Sequence, residues 1–166
     1  MRELYLVSVW LHILAAATWA GGMSFVALVV VPWLRSGGRG NAGAFLRETG
    51  LRFRAVGWVC FGVVLVTGTF NLWMRGVRLG NLVDPAWLSS PFGLSVAAKL
   101  AVFALVVGLS AVHDFNIGPR AAEAMERDPA GPGTERLRRQ ASIFGRVNGL
   151  LALVLIAIAV TIVRGW

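Results

Sequence analysis

A handful of side chains in this sequence can do chemistry within otherwise apolar surroundings: His12, Thr67, Asn71, Lys99 and His113. A neutral imidazole such as that of His12 serves either as a metal ligand, including an axial ligand to haem iron, or as an interior hydrogen-bond partner between helices. Lys99 is the one lysine among 16 basic residues. Where arginine is used everywhere else, a compact ammonium that can lose its proton suits a ligand, a base or a partner for an anionic group; it equally suits a chain that snorkels to headgroups. Cys60 is the single cysteine, which excludes an internal disulfide and a covalent Cys-x-x-Cys-His haem attachment. No Ser/His/Asp set, paired carboxylates, Gly-rich phosphate loop or zinc spacing is present.

The elements that must position these residues are membrane spans. The 166 residues are 57% hydrophobic and 14% charged with a mean hydropathy of +0.69, against roughly 45–50% and about 25% in an ordinary soluble domain. That excludes disorder and leaves no room for a second, soluble domain. The expected fold is all-α: one integral membrane antiparallel four-helix bundle, with spans near 5–33, 54–75, 92–115 and 143–164. The first apolar run is longer than a signal peptide's core and reads as an uncleaved span. Arg35, Arg39, Arg47 and Arg52 crowd the first connection, and Arg120, Arg127, Arg136, Arg138 and Arg139 the third. By the positive-inside rule both are cytoplasmic and both termini lie outside. The formal charge of +8 is thereby assigned to topology and anionic headgroups and not to nucleic acid. Localisation in a bacterial inner membrane follows as an expectation.

Smaller features fill the connections. Pro119 is expected to open a short helix that the Asp128-Pro-Ala-Gly-Pro-Gly run breaks, and Thr134 to cap the helix leading into the last span. Asp84-Pro85 and Trp87 read as an interfacial turn. Trp10, Trp33, Trp73, Trp87 and Trp166 form an aromatic belt at the span ends, leaving Trp19 and Trp58 for the interior.

Depth counting brings the chemistry together. Spans 1 and 3 enter from the same side, which sets His12 and Lys99 at similar depth, and span 2 returns with Thr67 and Asn71 at that level. His12 shares a helical face with Ala15, Ala16, Trp19, Gly22 and Met23. The small residues of that face leave room for a cofactor or allow close helix packing. His113 lies at the opposite end, roughly 21 Å from Lys99 along the helix, too far to share its metal. With Asp114 it forms either an interfacial network with Arg146 or a second haem or proton-entry point. Met1, Met23, Met74 and Met125 are scattered, so no soft-metal cluster is apparent.

The run His12-Ile-Leu-Ala-Ala-Ala-Thr-Trp19-Ala-Gly21-Gly22 resembles the first-span signature of the CopD-like copper-resistance membrane proteins and of the HemJ-type protoporphyrinogen oxidases. Ala98-Lys99-Leu100, His113, and the stretch Arg139 to Arg164 with Phe144, Asn148 and Leu150-Leu151 are similar to the HemJ pattern. The HemJ resemblance implies a four-helix membrane protein with non-covalent haem b, His12 as axial ligand and Lys99 as a second essential residue. It carries the expectation of redox chemistry, with a porphyrinogen or quinol as electron source and Trp19, Gly22, Thr67 and Asn71 lining the pocket. The CopD resemblance implies copper transport or handling instead. The expected partners are the lipid bilayer, haem, such a substrate and a further copy of the chain in a homo-oligomer.

Overall fold

A computed structural model describes residues 1–36 and 42–164; Arg39 and Trp166 lie outside them. Four long helices dominate. Helix α1 (Arg2–Phe25) runs on through a π-helical turn (Val26–Val30) to Ser36, α2 spans Ala42–Met74, α3 spans Pro91–Val112, and α4 spans Pro132–Arg164. All four are long and apolar enough to cross a membrane. Their most apolar windows are only 11–22% buried by the protein itself. Leu28, Val59, Val66, Leu150 and Leu153 are among the side chains facing outward. A surface this apolar requires lipid rather than water.

The helices outrun the spans expected from composition, because the polar residues at the arginine-rich end continue the helical ladder beyond the apolar stretch. Thus α2 begins at Ala42 instead of near 54, and α4 at Pro132 instead of near 143. The third span does not stop near 115. A π-helical turn (His113–Ile117) carries it into a further helix, Gly118–Arg127. Both π-helical turns stand just ahead of a proline, Pro32 or Pro119. A proline has no N–H to give the carbonyl four residues back, and the widened turn lets the helix pass it unbroken.

Gly118–Arg127 packs on α2 and α4, with Ala121 and Ala122 buried and Arg47 paired to Glu126 at 3.5 Å. It ends at Asp128, as the Pro-Gly run requires. Thr134 does not act as the expected cap. It sits inside α4, buried, and donates its hydroxyl to the carbonyls of Ala124 and Asp128. The Asp84-Pro85 turn holds a short helix, Pro85–Leu88, capped by the Asp84 carboxylate on the Ala86 N–H at 3.0 Å. Ser90 caps α3 through the Gly93 N–H at 3.1 Å, and Gly93 lies so close to the Trp87 carbonyl that a side chain there would collide with it.

The middle of the bundle is dry. Ala15, Trp19, Cys60, Phe61, Val106 and Ala152 form the buried core, drawn from all four helices. Trp19 meets Phe61 at a tilt, with ring centroids 5.1 Å apart, and Phe61 meets Trp58 and Phe103 edge-on. Trp10, Trp33 and Trp73 face outward, as a belt would.

Candidate functional site

Polar side chains gather on either side of this aromatic layer, in two clusters of different character. The first is at the end of the bundle that holds the chain termini. On α1, Ser8 and His12 lie one turn apart on the same face. Opposite them on α2 stands Thr67. His12 Nδ1 is 2.9 Å from the Thr67 hydroxyl, and the Ser8 hydroxyl donates to the Thr67 carbonyl at 3.4 Å. The Thr67 hydroxyl also donates to the Val63 carbonyl, one turn back in its own helix, at 2.5 Å. That bond uses its proton and leaves its lone pair for an N–H on His12 Nδ1. Where both bonds hold, the other ring nitrogen, Nε2, is the one left with a lone pair.

Gly68 makes this approach possible. The imidazole Cε1 lies 3.1 Å from where a Cβ at Gly68 would sit, so any larger residue would push the ring away. One turn beyond Thr67, Asn71 has a buried side-chain oxygen with no hydrogen-bond partner among the described residues. Lys99 of α3 is close enough for its charge to act on the His12 ring, and Arg75 acts in turn on Lys99. Arg75 is tied back by the Tyr5 hydroxyl and the Ile162 carbonyl at 3.4 and 3.5 Å. The cluster thus comprises an imidazole, an amine, hydroxyls and one unsatisfied amide oxygen, drawn from three helices.

Of the residues singled out in the sequence, His12, Thr67, Asn71 and Lys99 come to this end, while Trp19, Gly22 and His113 do not. Trp19 is buried in the aromatic layer against Gly57 and Phe61. Gly22 abuts the ring of Phe53, which fills the space that its missing side chain leaves; its smallness therefore serves α1–α2 packing. Ser8 and Gly68 were not anticipated. The signal for Ser8 was its position one turn before His12, and for Gly68 its place beside Thr67.

The second cluster surrounds the π-helical turn of the third span. His113 Nδ1 lies 3.1 Å from one Asp114 carboxylate oxygen, and the Trp58 indole donates to the other at 3.2 Å. Arg54 donates to the Asp114 carbonyl at 3.1 Å and lies over the Phe115 ring at 5.1 Å. Arg146 was the expected partner of Asp114. It instead faces away along the outer side of α4, beside Arg139 and Ser142, and α2 supplies the partners. Above this network Asn148 donates to the Ser110 hydroxyl at 2.9 Å; both residues are buried.

Neither cluster assembles a closed metal site: among the described residues no three His, Cys, Asp or Glu side chains come together. Over residues 47–162 the chain matches the family model described as copper resistance protein D, CopD. Along its whole length it is 31% identical to an uncharacterized protein of Aquifex aeolicus (strain VF5), covering 98% of that protein. No solved structure matches it. The chain belongs to the copper resistance protein D family. Of the two families that the sequence resembles, the match supports CopD, over residues that do not include the His12–Gly22 run, and it does not extend to the porphyrinogen oxidases.

Proposed function

We propose that this member of the copper resistance protein D family handles copper at the membrane, with His12 as the ligating group. The supporting observation is the one imidazole held between α1 and α2 by the Thr67 hydroxyl, with no carboxylate bonded to it, whereas His113 is held by the Asp114 carboxylate. Imidazole is a good copper donor, whereas hydroxyl and amide oxygens are poor ones. A single good donor holds a copper ion weakly. Weak holding does not suit storage but suits passage or hand-off, where an ion has to leave as readily as it enters. Copper is therefore read as cargo, not as a resident cofactor.

The test is copper accumulation and tolerance in cells making the wild-type chain, His12→Ala or His113→Ala at matched membrane levels. The expected result is that His12→Ala behaves as cells without the protein and His113→Ala as wild type. Equal behaviour of wild type and His12→Ala would overturn the assignment.

One observation favours a second reading, a membrane protein with non-covalent haem b. The Lys99 amine lies near enough to His12 for its charge to act on the ring, which opposes a bare metal cation and favours an anionic ligand. Haem would need one imidazole as axial ligand, offered by His12, and a cation for its carboxylates, offered by Lys99. Bound there, it would supply one-electron redox chemistry, with a quinol or porphyrinogen as electron source. The absorption spectrum of the purified protein separates the readings: a Soret band lost in His12→Ala supports haem, and copper without that band supports copper handling.

A further inference from the structure

Among the described side chains the arginines fall into two groups. Arg47, Arg52, Arg127 and Arg138 pair with carboxylates. Arg120 donates to the Asn116 side chain, while Arg54, Arg75 and Arg78 donate to backbone carbonyls. By contrast, Arg2, Arg136, Arg139, Arg146 and Arg164 have no hydrogen-bond or ion-pair partner among the described residues; Arg2 opens α1 and Arg164 closes α4, and the other three lie together in the first half of α4. The helical repeat explains the placement of these three. Thr134, Leu137, Ala141, Phe144 and Asn148 turn inward, and the arginines occupy the opposite, exposed side.

That side carries a groove of about 330 Å³ lined by Glu135, Arg138, Arg139, Ser142, Ile143 and Arg146. Its single carboxylate, Glu135, is held by Arg138 at 2.6 Å, so the positive charge of Arg139 and Arg146 is not offset within the groove. One turn further on, the same side becomes apolar: Ile143, Val147, Leu150 and Val154 are all exposed. Guanidinium groups with a hydroxyl, leading directly into an outward apolar strip, match the two parts of an anionic phospholipid. Arg139, Arg146 and Ser142 suit the phosphate, and the Ile143 to Val154 strip suits an acyl chain.

We propose that the start of α4 is a binding site for an anionic phospholipid. The polar part alone would fit any free phosphate; the apolar continuation commits the site to lipid. Unlike the paired arginines, Arg139 and Arg146 obtain their counter-charge from the bilayer, which fixes the height and rotation of α4 in the membrane.

Native mass spectrometry of the full chain in detergent, titrated with phosphatidylglycerol and phosphatidylcholine of equal acyl length, tests this. The expected result is a preference for phosphatidylglycerol that falls by about fivefold for each guanidinium removed in Arg139→Gln and Arg146→Gln. The preference is expected to survive in Arg139→Lys/Arg146→Lys, in the control Arg52→Gln/Arg127→Gln and in excess inorganic phosphate. Equal retention of both lipids by the wild type would overturn the proposal. So would an equal loss in the control pair, which would reduce it to overall charge, or displacement of the lipid by inorganic phosphate, which would make it a free-anion site.

Discussion

His12 and His113 are the two histidines of the chain, and they have opposite surroundings. Around His113 the carboxylate of Asp114 takes the imidazole and an indole N–H, and Arg54 covers a ring and a carbonyl, while the buried side-chain oxygen of Asn148 has no hydrogen-bond partner among the described residues. Around His12 there are cations, hydroxyls and an orphaned amide oxygen, with no carboxylate hydrogen-bonded to any of them. An imidazole held by a carboxylate that also takes an indole N–H ties helices together, whereas one held by a hydroxyl beside an amine has no such ionic partner and is costly within a membrane unless something else completes it. On the proposed function, the contrast gives the His113 end a structural role and the His12 end the binding role, with the Trp19–Phe61 layer between them.

The comparison breaks most sharply in the two histidine replacements. His12→Ala is expected to lower copper accumulation to that of cells lacking the protein, while His113→Ala leaves it near wild type. The reverse ranking, read by elemental analysis of the cells, would exchange the roles of the two ends.

Replacing Asp114 sharpens the other half. Asp114→Asn keeps the shape but removes the charge that the His113 ring and Trp58 indole share, and is expected to cost about 1–3 kcal/mol. Thermal unfolding in detergent measures this, and copper accumulation is expected to stay unchanged. Thr67→Val removes the hydroxyl facing His12 Nδ1 and is expected to cost about 1 kcal/mol of stability. Here, unlike Asp114→Asn, copper accumulation should fall with stability, because the ring loses what orients it.

A last pair of variants separates close packing from helix propensity on α1. Gly22→Ala drives a Cβ into the Phe53 ring and is expected to cost about 1–3 kcal/mol. Gly21→Ala meets nothing within 4 Å and should stabilise by up to about 1 kcal/mol through helix propensity. Thermal unfolding of the two variants side by side checks the pair.

Much of the architecture was legible because hydropathy and proline placement act locally: four apolar stretches, the arginine-rich connections and the helix opened near Pro119 needed no tertiary knowledge. Counting residues from the span ends also put His12, Thr67 and Lys99 at one height. Counting gives height along an axis, however, and not which helix faces which. For that reason Arg54 and Arg146 were both placed at the His113 end, and the network was expected with Arg146 of α4 when α2 supplies Arg54 and Trp58. The extra turns of α2 and α4 were hidden because their polar sequence ends an apolar window without ending a helix. Gly22 showed the same limit, since only its neighbour Phe53 reveals which of two uses its smallness has.

The most direct test of the division between the two ends is copper binding at equilibrium, by dialysis of the purified chain against copper, as wild type, His12→Ala and His113→Ala. The account predicts bound copper in the wild type and in His113→Ala, and its loss in His12→Ala with the fold intact by helical content. Copper retained in His12→Ala, or lost only in His113→Ala, would contradict it.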